Sequence, residues 1–218
     1  MIDGYSMASH LGVATLETLW VVLASGLLAG VLGMLLGVAL YALQTPVLLD
    51  KPLAYRLLAT SLNTMRAIPF IIFMIAILPL TRWITGTAIG TTASVVPLTL
   101  AAMPMMARMV EHALIVLPNH LLETAIAMGA SRLQILRYFL LPEAKANLIR
   151  QYTTACVTLT GYASMCGAIG GGGLGDYAIR YGYQRFEPVS MLAAILMIWG
   201  LVQCIEGLGS FCIQQHQK

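Results

Sequence analysis

The sequence predicts an all-α membrane protein, a bundle of about five transmembrane helices forming one domain over residues 1–218. Three observations carry that expectation. Hydrophobic residues make up 59% of the chain and charged residues only 10%, against roughly 25% charged in soluble domains. The apolar residues gather into runs that reach the roughly 20 residues a hydrocarbon core demands. The longest polar stretch, 108–145, is a block between two such runs rather than a face alternating with them.

The first run, 19–43, carries no charge. Its glycines, Gly26, Gly30, Gly33 and Gly37, fall three or four apart on one face, a spacing that lets a second helix approach closely. The second, 57–80, contains Arg66 and Pro69. Arg66 is expected near the cytoplasmic end, where its long side chain reaches water, or else in a helix interface or pathway. The third, 89–107, holds Pro97 and Pro104. Proline removes a helical hydrogen bond, so each marks either a hinge or a static bend. The fourth covers 147–169 and the fifth 189–212.

Five spans put the termini on opposite sides. Lys51, Arg56, Arg66, Arg108, Arg132, Arg137, Lys145, Arg150 and Lys218 fall on one side, and Arg82, Arg180 and Arg185 on the other. The positive-inside rule then places the N-terminus outside and the C-terminus in the cytoplasm.

The polar block, 111–142, is expected to form a cytoplasmic platform of two short helices. The first starts at Pro118, whose missing N–H costs little at a first helical position, and reaches Met128. Gly129 supplies a turn. Ser131 and Gln134 have capping-box spacing, so a second helix starts at Arg132 and is expected to end before Pro142. Arg108 and Glu111, three apart, are expected to form a helix-surface pair.

Several function classes lack support. There is no basic run for nucleic acid. Gly170 to Gly173 and Gly175 are followed by no Gly-Lys-Ser/Thr, so they read as a tight exit from the fourth span and not as a phosphate loop. Cys156, Cys166, Cys204 and Cys212 lie in apolar stretches without metal-ligand spacing. His10, His112, His120 and His216 lie outside the spans, and no nucleophile–base pair stands out, so an intramembrane enzyme is not supported. No cofactor is expected on this chain.

The platform reads Glu123-Thr-Ala-Ile-Ala-Met-Gly129-Ala, then Ile135, then Leu141-Pro142. This resembles the EAA loop of bacterial ABC importer permeases, with Thr124 in place of the first alanine. Asn63 to Phe70 is similar to the second-span entry of amino-acid permeases. Val96-Pro-Leu-Thr, Pro104, Ala107 to Glu111, Gly161-Tyr-Ala-Ser-Met165 and Gly173-Leu-Gly175 resemble the methionine importer permeases. The resemblance covers most of residues 60–185 and implies the type I importer permease fold in the bacterial inner membrane. It implies two copies of this chain, two ATPase subunits that hold ATP and Mg, and an external substrate-binding protein, often a lipoprotein. It also implies a coupling role for Glu123, Ala125, Met128, Gly129, Ala130, Ile135, Leu141 and Pro142. Met165 and Tyr162 are candidate gate residues. Thr154, Thr158 and Gly161 share helical spacing with them, and Pro104 is placed with the same candidate pathway. Hydroxyls bonded within their own helix are the alternative reading for the threonines, and core packing is the alternative for Met165. The rival functions are a permease for another amino acid or small polar solute, and a non-transporting scaffold.

Overall fold

A helix in lipid satisfies its own backbone, which is why membrane-spanning chains are helical. The computed structural model describes residues 4–216, and every regular element among them is helical. Lys218 and the His216 side chain lie outside the described residues.

α1 (Gly4–Gln44) is one unbroken helix, starting well before the apolar run over 19–43. Glu17 and Thr18, just ahead of the apolar run, are held from far along the chain. The Gly173 N–H donates to Glu17 Oε2 at 2.8 Å, and the Leu174 N–H donates to Thr18 Oγ1 at 2.8 Å.

The span expected over 57–80 is not merely kinked at Pro69 but broken. α2 (Pro52–Ala67) and α3 (Phe70–Ala76) meet at 100°. Pro69 is the cause. It lacks an N–H, and its ring pushes Ile68 out of the helical region, to φ −78° and ψ 126°. α4 (Leu78–Thr85) follows and ends on left-handed Gly86. α5 (Thr91–Ile115) runs through Pro97 and Pro104 without a break. It extends past the expected end at 107 because no breaker follows until Pro118.

α6 (Asn119–Ala127) begins after Pro118, which caps the helix and is not its first residue. α7 (Arg132–Gln134) opens with the expected capping box, the Ser131 N–H donating to Gln134 Oε1 at 2.8 Å. The helix does not end before Pro142. A π-helical stretch, Ile135–Leu140, leads straight into α8 (Leu141–Gly167). The Leu141 N–H bonds back to the Leu136 carbonyl, five residues earlier. That wider turn makes room for the proline ring that an α-helical turn would meet. α9 (Gly173–Tyr177), a second π-helical stretch (Ala178–Tyr183) and α10 (Pro188–His216) complete the chain.

α1 and α5 run parallel and in close contact. A Cβ on Gly33 would lie 2.6 Å from Met106 Cβ, and one on Gly37 would lie 2.5 Å from the Ala107 carbonyl oxygen. α8 is antiparallel to α1, with Tyr152 lying over Gly30. The glycine face legible in the sequence is therefore the seam along which three long helices meet. At the end away from α6, the Gly90 N–H donates to the Gly170 carbonyl at 3.0 Å, tying the start of α5 to the exit of α8. Gly170, Gly172 and Gly173 all have φ between 74° and 81°, so the glycine run is a tight turn.

α1, α5 and α10 are each long and apolar enough to cross a membrane, and the bent α2–α3 pair makes a fourth candidate. α8 has the length, 27 residues, but is more polar. Its hydroxyls are returned to its own backbone: Thr153, Thr158, Thr160 and Ser164 all donate to the carbonyl four residues back. The outward faces of α1 (Leu16, Trp20, Leu23, Leu27, Val31, Leu35) and α10 are large and apolar, beyond the few hundred Å² that water-soluble monomers expose. They suit lipid.

The seam gives a direct test. Gly37→Val should lower the stability of the detergent-solubilised chain by about 1–3 kcal/mol through overpacking, read as an earlier thermal transition. Gly200→Ala, whose added methyl would meet nothing within 4 Å, should leave the transition in place.

Candidate functional site

Two groups of residues stand apart from the lipid-suited surface. The first is the platform at the end of α5. α6 is stopped by a Schellman motif: the Gly129 N–H bonds the Ile126 carbonyl at 2.9 Å, and the Ala130 N–H bonds the Ala125 carbonyl at 3.1 Å. Gly129 itself is left-handed, at φ 71°, the conformation for which its lack of a side chain suits it.

The platform has two faces. Ala125 is fully buried, and with Ile135 and Leu140 it packs against Val110 and Leu114 of α5 and Ala42 of α1. The opposite face carries Glu123, Ile126, Met128 and Leu133, all exposed, with Met128 at 62% and Leu133 at 72%. Large apolar side chains exposed beside Glu123, His120 and Arg132 make a surface suited to another protein and poorly suited to water alone. The eight candidate coupling residues thus divide. Glu123, Met128, Gly129 and Pro142 are exposed, Ala130 and Leu141 are half-buried, and Ala125 and Ile135 anchor the platform to the bundle. Ile126 and Leu133 were not singled out by sequence. Ile126 is turned outward by the placement of Ala125 on the inner face of α6, and Leu133 stands exposed on α7, beyond the Gly129 turn.

The expected surface pair of Arg108 and Glu111 is corrected by burial. Arg108 Nη1 lies 2.6 Å from Glu111 Oε2, but Glu111 is only 2% exposed, and its Oε1 has no partner among the described residues. A carboxylate is enclosed just above the platform, where loss of the arginine would leave it uncompensated.

The second group lies along α8. Thr154, Thr158, Gly161 and Met165 share one face; Thr158 is half-buried and the other three are exposed, Met165 at 44%. Thr154 and Thr158 donate to the Arg150 and Thr154 carbonyls, so the hydroxyls present only acceptor lone pairs outward. The strip's own residues are therefore weakly polar and uncharged between Arg150 and the glycine turn, and Glu206 of α10 borders the space beside Arg150 and Thr154. Tyr162 is turned aside. It stacks on Phe70 with ring centroids 4.6 Å apart and planes 7° from parallel. Pro104 does not join the strip, because its ring is fully enclosed by the chain's own helices.

Of the two places expected for Arg66, the cytoplasmic end and a helix interface or pathway, the structure has it away from the first. It lies at the α2–α3 elbow beside Ala101 and Met105, which are near the middle of α5, well away from the platform end.

Residues 29–211 match the family described as binding-protein-dependent transport system inner membrane component. The chain is 43% identical over 202 residues to the probable D-methionine transport system permease protein MetI of Vibrio cholerae serotype O1, covering 93% of this chain and 90% of that protein. Its structure superimposes on a chain of the MetNI methionine ABC transporter, solved in inward-facing conformations, with a TM-score of 0.96 and 38% identity over 99% of this chain and 100% of that one. An amino acid ABC transporter solved with histidines shares the fold alone, at 15% identity and a TM-score of 0.75 over 99% of each chain.

The platform's inner face predicts a local instability. Ala125→Leu should force about 1–3 kcal/mol of overpacking beneath α6. Hydrogen exchange should then quicken over 119–130 while α1 and α5 keep their protection. Unchanged exchange over 119–130 would mean that α6 is not fixed through Ala125.

Proposed function

The chain belongs to the family of binding-protein-dependent transport system inner membrane components, and from that premise we propose that it is the membrane-spanning permease of an ATP-driven importer of methionine. It is a transport component of the inner membrane and not itself an enzyme. The observation that carries the reading is the platform: a short helix with an acidic and apolar outer face, fixed by Ala125 to the ends of α1 and α5.

In this account two copies of the chain enclose the pathway, and a separate ATPase subunit docks on each platform through Glu123, Ile126 and Met128. ATP and Mg are held by that subunit. A substrate-binding protein, anchored by lipid in some relatives of this type, delivers cargo from the other side of the membrane. Closure of the ATPases displaces α6. Ala125, Ile135 and Leu140 pass the displacement to α1, α5 and the helix that continues into α8, as rigid elements sliding on packed faces. The α8 strip of Thr154, Thr158, Gly161 and Met165 lines the route, and Met165, flexible and unbranched, narrows it near the glycine turn.

The cargo assignment rests on the methionine-transporting relatives. Another amino acid or a small polar solute is the competing reading. It is favoured if the assembled transporter takes up that solute and not methionine.

Orientation follows from charge. Arg66 is set aside at mid-level, and Lys218 is not among the described residues. Lys51, Arg56, Arg108, Arg132, Arg137, Lys145 and Arg150 then gather towards the platform end, and Arg82, Arg180 and Arg185 lie at the other. By the positive-inside rule this distribution supports a cytoplasmic platform and C-terminus and an external N-terminus.

Orientation is tested with single cysteines at Thr87, Asn119 and Tyr183 in a background without the native thiols. An impermeant reagent applied to intact cells should label the first and third only. Labelling at Asn119 would reverse the orientation.

Coupling is tested by Gly129→Val. A valine held at φ 71° carries about 1–3 kcal/mol of local strain. The spans should still insert, while co-purification of the ATPase weakens and methionine uptake into vesicles stops. Glu123→Ala should reduce both more mildly. Wild-type uptake by the Gly129→Val protein would remove the coupling assignment.

A further inference from the structure

The elbow between α2 and α3 is an irregular backbone beside the middle of a membrane-length helix. At that depth non-helical chain is tolerated only where protein covers it or where it lines a cavity. Here it does border a cavity. A space of about 160 Å³ is lined by Met65, Arg66, Phe70, Phe73, Met105 and Tyr162, together with Ile68 at the elbow itself and Ala101. A cavity of about 150 Å³ is known to admit benzene, so this one has room for a short apolar side chain. Its wall combines methionine sulfur with aromatic rings, surfaces that attract thioethers and each other.

Arg66 is the charge at this site. It stands in the last turn of α2 and makes no ion pair with an acid among the described residues. The helix C-terminus contributes roughly half a negative charge, so a positive remainder is left at the cavity. An ionisable side chain at membrane depth is costly and is kept where it meets a partner. The final carbonyls of α2 have no intrahelical donor, and Met65, Arg66 and Ile68 at that helix end line the same cavity. Cation, free carbonyls and apolar wall together are complementary to a zwitterionic amino acid.

We infer that the elbow cavity is a transit site for the cargo, with Arg66 receiving the α-carboxylate, the end of α2 the ammonium, and the Met65–Phe70–Met105–Tyr162 wall the apolar side chain. The inference rests on the reading of the chain as a methionine permease. Tyr162 connects the two regions. It packs on Phe70 within the cavity wall and is one residue from Gly161 on the exposed α8 strip, so the cavity opens beside the route already described. The site then selects for a free carboxylate inside the membrane, independently of any selection made outside it.

The test uses the assembled transporter, permease with its ATPase, reconstituted without a binding protein. Ala101→Cys is introduced after replacement of Cys156, Cys166, Cys204 and Cys212, and the rate of modification by a small methanethiosulfonate is measured. Methionine should slow the modification, and methioninol, which lacks the carboxylate, should not. Arg66→Gln should weaken protection by methionine about tenfold or more, the scale of one lost charged hydrogen bond. Arg66→Lys, a conservative change, should restore part of it. Modification unaffected by methionine, in a complex that still imports methionine when the binding protein is added, would overturn the site and leave the permease reading standing. Equal protection by methioninol, or protection indifferent to Arg66→Gln, would overturn the role of Arg66. A wild-type complex that imports no methionine would instead count against the permease reading.

Discussion

The packing of a single small side chain, Ala125, under the platform helix is the contact on which the rest of the arrangement depends. It is fully enclosed and allows α6 to lie close on Val110, Leu114 and Ala42. A larger residue would lift the helix, and a polar one would be left without a partner. Because the neighbours belong to α5 and α1, and because Ile135 and Leu140 in the same cluster lead without interruption into α8, one patch of apolar contact joins the platform to three long helices. Those helices are locked to one another in turn at Gly33 and Gly37, where side chains would collide. A push on α6 therefore has no soft element to be absorbed in before it reaches the bundle.

Lipid imposes the second constraint. Polar groups within the bundle are satisfied locally, the serine and threonine hydroxyls by carbonyls four residues back. The exceptions are informative. The buried Glu111 carboxylate is half-satisfied beside Arg108, close to the platform, the buried Tyr177 hydroxyl has no partner among the described residues, and Arg66, exposed at the elbow, makes no ion pair among them. All three are places where the chain departs from the rule that holds elsewhere.

Apolar run length made the long helices legible in the sequence, and local chemistry made the platform legible: Gly129 and the Ser131–Gln134 spacing act within a few residues of themselves. What escaped the sequence was non-local or subtle. Glu17 and Thr18 of α1 are bound by Gly173 and Leu174, some 156 residues away, so no window around Glu17 contains its partner. Pro142 reads as a helix stop, yet a π-turn before it lets the helix pass. Pro69 marks an interruption of the 57–80 run, but the sequence does not show that together with Ile68 it turns the chain through 100° and leaves Arg66 exposed at the level of the middle of α5. Of the candidate site, the exposed strip on α8 follows from helical period. The burial of Glu111 and Pro104 does not, because it depends on which face of α5 meets α1.

The central claim is that the platform and the far end of α8 move as one body. Spin labels at Met165 in the two copies of the assembled transporter would report this by their separation, measured by pulsed electron spin resonance with and without ATP. The account predicts a separation that changes with nucleotide in the wild-type background and stays fixed in Gly129→Val complexes that still retain their ATPase. A separation indifferent to nucleotide in the wild type, or an equal change in the Gly129→Val complex, would contradict it.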